Sequence, residues 1–439
     1  MSEVHSESSL AYVRETMVDQ KEPPLSQTGA YRWIHENLFS GWLNVILTLG
    51  SLWFIWVVLS HLVPWAALGI WDAGSLAQCR EIRNDLYGAG SDVACWAVIA
   101  ERWPQLLFGF YPRDLYWRPV LAFVIFFIAI APVLFSSLPR KALFGSMAAP
   151  FVIYWLIWGG SLWGPVAVAA GFVLGWAIMN YAGPKVGVLP AILASIVVPL
   201  LYWFFVAGPL AGALSSVVPL RLTNVESNDI GGFMLALIIG ISGILLSLPL
   251  GVVLALGRQS DMFIINKCSI AFIEIIRGVP LIVWLFTASL LLNYFLPPGT
   301  NFDLMLRVII MVTLFASAYI AEVVRGGLAA LPKGQYEAAD ALGLDYWKSM
   351  RLIILPQALK IAIPGIVNTF IGLFKDTTLV VFIGLLDPIG LSNSIRASTE
   401  WNGIYWELFV FIGLCFFLFC FGMGRYSLYL EKKLRREHN

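Results

Sequence analysis

Ten apolar runs govern what this chain can become. They lie at about 44–64, 118–138, 145–160, 163–181, 188–211, 231–257, 275–297, 304–330, 361–386 and 405–430. Most are near the length a helix needs to cross a hydrocarbon core about 30 Å thick, at a rise of about 1.5 Å per residue. Lipid offers no partners to backbone N–H and C=O groups, so each run must satisfy its own groups as a helix. No soluble core could absorb the surplus: 59% of residues are hydrophobic, 13% are charged and 18 are tryptophan. The expected fold class is an all-α polytopic membrane protein whose first partner is the lipid bilayer. A net charge of +1 leaves no basic footprint for nucleic acid.

Punctuation within the runs refines this. "GGSLWGP" (159–165) interrupts the stretch 145–181 and "GPKVG" (183–187) closes it, which predicts two short helices there and ten spans in all. Eight spans would place the termini on a common side equally well. Lysines and arginines assign that side to the cytoplasm. Arg140, Lys141, Lys185, Arg258, Lys267, the segment 333–360 and the tail "EKKLRREHN" all fall on it, whereas 212–230, 298–303 and 387–404 carry only Arg221 and Arg396. Both termini are therefore expected inside. The first forty residues are polar and mixed in charge, without the short apolar stretch and small-residue site of a cleaved signal. The chain then divides into a cytoplasmic segment 1–40, a Trp-rich multi-span region 41–230 with an external loop at about 65–117, and a region 231–435 where charges appear at membrane depth.

Five cysteines do not make a metal cluster, and no metal site is expected. Cys268, Cys415 and Cys420 sit in or beside apolar runs and read as small buried or lipid-facing side chains. Cys79 and Cys95 lie in the long polar loop, where an oxidising compartment would permit a disulfide; the sequence leaves that pairing open.

The segment "EAADALGLDYWKSMRLIILPQALK" (337–360) is too polar to cross a bilayer and too patterned to be slack loop. Pro332 and Gly334 break what precedes it, with Glu337 expected near the positive end of a first short helix. Gly343 suits a left-handed terminator, and Asp345 the N-cap of a second helix that Pro356 should interrupt. Tyr336, Ala339 and Leu342 would share one apolar face, and Trp347, Met350 and Ile354 another. A bland alternative is an amphipathic hairpin lying on the membrane surface.

Spacing makes the segment more specific. Glu337-Ala338-Ala339, three residues, Gly343, nine residues, Ile353, one residue, Leu355-Pro356 resembles the EAA signature of ABC-importer permeases. "IEIIRGVPLIVWLF" (273–286), "AYIAEVVRGGLAALPKGQYEAADALG" (318–343) and "FIGLFKDTTLVVFIG" (370–384) are similar to the polar amino-acid branch of that family. The likeness covers about 231–435, and the long Trp-rich extension resembles subunit M of general L-amino-acid systems. The resemblance implies a type I importer transmembrane domain: a five-helix core here carrying an extra multi-span region, in a bacterial inner membrane. It implies a cytoplasmic coupling loop at 332–360, in which Glu337, Ala338, Ala339, Leu342, Gly343 and Asp345 meet an ATPase. The implied partners are a second permease, two copies of the ABC ATPase and a periplasmic amino-acid-binding protein landing on 387–404 and part of 65–117. ATP and magnesium would be bound by the ATPase, and this chain would hold no cofactor.

Lys375 and Asp376 have ten mainly apolar residues on each side, which places them near the bilayer midplane. A charge there costs about 2.5–3.5 kcal/mol on insertion scales and needs partners or water. Glu322 and Arg325, three apart on the preceding span, are the candidate partners. A buried ion network that only fixes helix register is the simple reading. The functional one is a pathway for zwitterions that also includes Asn368, Thr369, Thr377, Thr378, Tyr319, Pro280 and Trp284. "EIIRGVP" has Val279 where relatives carry Thr, and Trp284 stands where they carry Gln; both changes would remove hydrogen-bonding groups. No G-x-x-x-x-G-K-[ST], H-E-x-x-H, G-x-S-x-G or C-x-x-C occurs, so catalysis by this chain is not expected. An ion-coupled secondary transporter is the competing reading, but the inverted repeats and ion ligands it requires are not visible.

Overall fold

The computed structural model describes residues 29–135, 137–291, 294 and 302–436. The expectations for residues 1–28, for 298–301 and for the last three residues of the tail lie outside them. Two units emerge, divided at 69/70 with residues 90–94 belonging to the first.

The first unit holds α1 (Gly29–Leu38) and α2 (Trp42–Ala67). The Thr48 hydroxyl donates to the Leu38 carbonyl at 2.9 Å and pins the junction between them. No residue of α2 is buried by protein, and its mean hydropathy is 2.0, so lipid is its natural surround.

The second unit runs through α3 (Leu76–Tyr87), α4 (Ala97–Phe108), α5 (Trp117–Leu134), α6 (Leu143–Trp158), α7 (Trp163–Val186), α8 (Val188–Phe205) and α9 (Ala207–Val217). It continues with α10 (Gly232–Arg258), α11 (Phe263–Gly278), α12 (Leu281–Phe286) and α13 (Leu304–Ala329), then α14 (Lys333–Ala341), α15 (Tyr346–Ser349), α16 (Leu355–Asp376), α17 (Pro388–Arg396) and α18 (Trp406–Arg436). Among the described residues eight helices are long and apolar enough to cross a membrane, and two bent pairs raise the total to as many as ten. Counted with both bent pairs, the spans fall on the ten runs; without them eight remain. The first pair, α8 with α9, bends by 53°; the second, α11 with α12, bends by 102°.

Two details differ from expectation. The break after Trp158 is where "GGSLWGP" placed it, but α7 is a full 24-residue helix that passes through Gly183 and Pro184 and stops at Gly187, φ +93°. Pro356 does not interrupt its helix. The turn Met350–Ile354 widens to π geometry, and α15 and α16 join across it into one segment, Tyr346–Ile383. A proline clashes with the carbonyl four residues earlier and offers no N–H; a widened turn relieves both problems.

Small residues bring the core helices together. Along α10, Gly240, Gly243, Ser247, Gly251 and Ala255 form a buried stripe at three- and four-residue spacing. A Cβ on Gly251 would meet Ile320 of α13 at 2.5 Å, and one on Gly327 of α13 would meet the Ala358 carbonyl of α16 at 2.4 Å. Without a hydrophobic drive between helices in lipid, such close backbone approach supplies the packing energy. The aromatic rings of Phe233, Phe374, Phe416 and Phe419 then join α10, α16 and α18.

The loop before α5 is a folded cap. A disulfide joins Cys79 on α3 to Cys95 before α4, with Cα atoms 6.2 Å apart. The Cys95 N–H donates to the buried carboxylate of Glu407, at the start of α18, at 2.8 Å. The indole of the fully buried Trp401 donates to Glu101 at 3.1 Å, and the Leu76 N–H donates to the Glu400 carbonyl at 2.8 Å. Gly109 pairs with Ile230 through an isolated bridge. These contacts join the cap to residues 229–232 and to the start of α18 within the second unit.

Candidate functional site

The segment between α13 and α16 folds as a rigid two-helix turn. α14 ends where Gly343 adopts φ +69°, a conformation that disfavours any residue with a Cβ, in a position where nothing else would obstruct one. The N–H groups of Gly343 and Leu344 close the turn onto the carbonyls of Asp340 (2.9 Å) and Ala339 (3.2 Å). Asp345 caps the next helix by accepting from the Lys348 N–H at 3.0 Å and pairs with the Lys348 ammonium at 2.9 Å. Hydrogen bonding from Lys348 holds the Asp345 carboxyl below the usual carboxylate range.

The turn has two unlike sides. Met350 and Ile354 are buried in one apolar cluster with residues of α10, α11, α13 and α16, Tyr336 packs against that cluster, and Ala339 is fully buried. The Gln357 amide donates to the Gln335 side chain at 3.0 Å, tying α16 back to α14. On the other side Leu342 is 73% exposed and Trp347 64% exposed, with Tyr346 next to them. The two expected apolar faces are thus each divided: the inner residues anchor the turn and the outer ones are left uncovered on this chain. Glu337 is exposed and sits in the second turn of α14, which begins at Lys333, so the helix N-terminus does not act on it as expected.

A charged quintet lies where α10, α11 and α13 end beside this turn. Arg258 reaches Glu274 at 2.9 Å and Glu322 at 3.3 Å. Arg277 reaches Glu322 at 3.7 Å while its guanidinium lies 5.4 Å from the centre of the Tyr319 ring. Arg325 donates its Nε to Glu322 at 2.9 Å and its Nη2 to the same oxygen. Glu322 therefore gathers three guanidinium groups from three helices.

This corrects the expected pairing. Glu322 pairs with Arg325 and with the arginines of α10 and α11, not with Lys375, and Arg325 pairs with Glu322, not with Asp376. Those two occupy the last turn of α16, where the helix tightens into the 3-10 segment Thr377–Ile383. Lys375 is exposed on this chain and Asp376 half-buried, with no hydrogen bond or ion pair from either side chain among the described residues. Apolar flanks reveal depth but not the direction a side chain faces. Thr369, Thr377 and Thr378 all donate to carbonyls one turn back, at 2.9, 2.7 and 2.9 Å, which leaves their oxygens as acceptors only. Asn368 is exposed on α16. Pro280 immediately precedes α12, after the 102° bend, and the Trp284 indole donates to the Ile276 carbonyl across that bend at 3.2 Å, which spends its one hydrogen-bonding group on the backbone. Arg258 and Arg277 were missed as members of the quintet, because residues on separate helices share no spacing signal.

Comparison with known proteins places these features in a family context. Residues 247–436 match the model described as binding-protein-dependent transport system inner membrane component. The chain is 57% identical over 98% of its length, and 100% of the relative's, to the glutamate/glutamine/aspartate/asparagine transport system permease protein BztC of Rhodobacter capsulatus. It is 40% identical over 91% of its length, and 92% of the relative's, to the inner membrane amino-acid ABC transporter permease protein YhdY of Escherichia coli. A crystal structure of an amino acid ABC transporter with histidines is 29% identical across 45% of this chain and 90% of its own, with a TM-score of 0.41.

Proposed function

Because the chain belongs to the amino-acid ABC importer permeases of the binding-protein-dependent family, we propose that its turn at 333–349 couples ATP hydrolysis on a separate subunit to import of acidic amino acids and their amides. The chain is the multi-pass permease subunit of an ATP-driven importer and not its ATPase. As such it works with an ATPase and a binding protein. ATP and magnesium belong to the ATPase, two copies of which would sit beneath this chain and a second, different permease. Both termini and the turn 333–349 face the cytoplasm, and the disulfide-braced cap faces the periplasm with the segment 387–404 as landing surface. The substrate class follows the relative named for glutamate, glutamine, aspartate and asparagine transport.

One observation carries the coupling reading. The turn presents Leu342, Tyr346 and Trp347 outward, while Ala339 is buried and Met350 and Ile354 anchor the turn in an apolar cluster shared with α10, α11 and α13. An apolar knob on a rigid mount suits a groove in a motor subunit, whereas a surface-lying hairpin would turn those same apolar groups toward lipid. Closure of an ATPase dimer around the knob would move the mount and bias the pathway between outward- and inward-open states. Within the pathway, exposed Lys375 and half-buried Asp376, with Asn368 and the acceptor oxygens of Thr369, Thr377 and Thr378, face either the partner permease or the substrate.

The test is Leu342→Asp in the reconstituted complex. A carboxylate in an apolar groove is expected to lower substrate-stimulated ATP hydrolysis and uptake together by about tenfold or more, in a complex still intact by gel filtration. Unchanged uptake would return the turn to the role of a membrane-surface hairpin.

A further inference from the structure

The quintet has a feature that helix registration does not require. Three guanidinium groups surround two carboxylates, leaving one positive charge in excess, and both oxygens of Glu322 are engaged by arginines from α10, α11 and α13. A register-fixing pair would be balanced and enclosed. Here the side chains of Arg258, Arg277 and Arg325 retain 23%, 33% and 40% of their exposure, so the cluster is reachable from outside this chain. Arg277 also keeps an enclosed Nε without a partner, and its guanidinium lies over Tyr319, a stacking that holds a cation in place without neutralising it.

Position adds the second argument. Glu322 and Arg325 lie in the last two turns of α13, which ends at Ala329, and α14 begins at Lys333. Any displacement of the turn 333–349 is delivered first to this end of α13. Arg258 and Arg277 sit on other helices, so a displacement that moves α13 against α10 and α11 would separate them from Glu322. The arginines would then present unfilled guanidinium forks, whose geometry fits a carboxylate.

Resting on the import of acidic amino acids proposed above, we propose that Arg258, Arg277 and Arg325 form an anion site at the cytoplasmic mouth, filled by the Glu322 carboxylate when the mouth is shut and by the carboxylate of the departing amino acid when it opens. Glu322 is thus an internal stand-in for the cargo. Its return displaces the substrate and closes the mouth behind it. The site favours cargo with a second carboxylate: glutamate and aspartate present two anionic groups to the excess positive charge, glutamine and asparagine only one.

The experiment uses the complete complex in proteoliposomes, with ATP-driven uptake of glutamate and of glutamine measured side by side. Arg277→Gln is expected to lower glutamate uptake about tenfold more than glutamine uptake, the change expected of one charge-assisted hydrogen bond. Glu322→Gln leaves the arginines unfilled, so glutamate added on the cytoplasmic side should inhibit at an about tenfold lower concentration than in wild type, with glutamine little changed. If Glu322→Gln does not assemble, Glu322→Asp keeps the charge but shortens the reach and should shift the inhibition the same way by less. Equal losses for both amino acids in Arg277→Gln, with unaltered cytoplasmic inhibition in the Glu322 variants, would reduce the quintet to structural ion pairs. Wild-type complex that moves no amino acid with ATP would instead overturn the import reading underneath.

Discussion

Among the described residues outside the spans, Asp387 is a fully enclosed carboxyl. It is fully buried, caps α17 by accepting from the Gly390 N–H at 2.8 Å, and has its second oxygen enclosed without a partner. Burial pushes its pKa up to about 6, against a backbone cap that pulls the other way. A folded value above the unfolded 3.8 means that folding favours the protonated form. The stabilisation is fully present below about 3.8 and is lost as pH rises through about 6. The thermal midpoint of the wild-type complex should therefore rise as pH falls from neutral toward 5. Asp387→Asn keeps the capping oxygen and removes the titration, so its midpoint should lose that part of the rise. Gly343 makes a different case at this scale, since its constraint is conformational and not steric. Gly343→Ala should destabilise the turn by about 1–2 kcal/mol, and Gly343→Asn by less, because asparagine tolerates the left-handed region. Faster amide exchange at 339–345 in the alanine variant reads this directly; equal protection in both would place the turn's stability elsewhere.

At the scale of elements, what could be foreseen depended on whether a signal is local. Run length and punctuation located the spans, and "LPKGQYEAADALG" with Asp345 located two short helices and the bend between them, because caps and breakers act within a few residues. The attachment of the cap had no such signal. Cys95 and Glu407 stand 312 residues apart and Trp401 and Glu101 300 apart, and neither pair has a periodicity to read. The Lys375–Glu322 pairing failed for a related reason: the sequence reports how deep a charge lies, whereas its partner is set by the rotation of the helix. The cap contacts carry a prediction of their own. Glu407→Ala strands the Cys95 N–H in a buried site, at a cost of about 1–3 kcal/mol, and should raise proteolytic nicking within 72–116 while the disulfide stays formed. Nicking no faster than in wild type would mean that Trp401 and the Leu76 bond suffice to seat the cap.

For the whole molecule, family likeness and physical organisation divide the chain differently. The family model starts at residue 247, but residues 97–116 of the extension bind the strand-like turn at 229–232 and the cap binds the start of α18. A chain begun at residue 231 would keep every recognised motif, yet leave Glu407 and Trp401 without their partners. It is expected to aggregate or fail to pair with the second permease on gel filtration; a monodisperse, transport-competent product would show the extension to be accessory. Gly109 and Gly231 sharpen the point. A Cβ on Gly109 would come within 2.5 Å of the Gly231 backbone, so at this crossing main chain rests on main chain with no side chain between them. Chimeras that exchange extensions between relatives must therefore inherit both glycines as a matched set, because a seam cut at residue 231 divides two backbones that rest directly on each other.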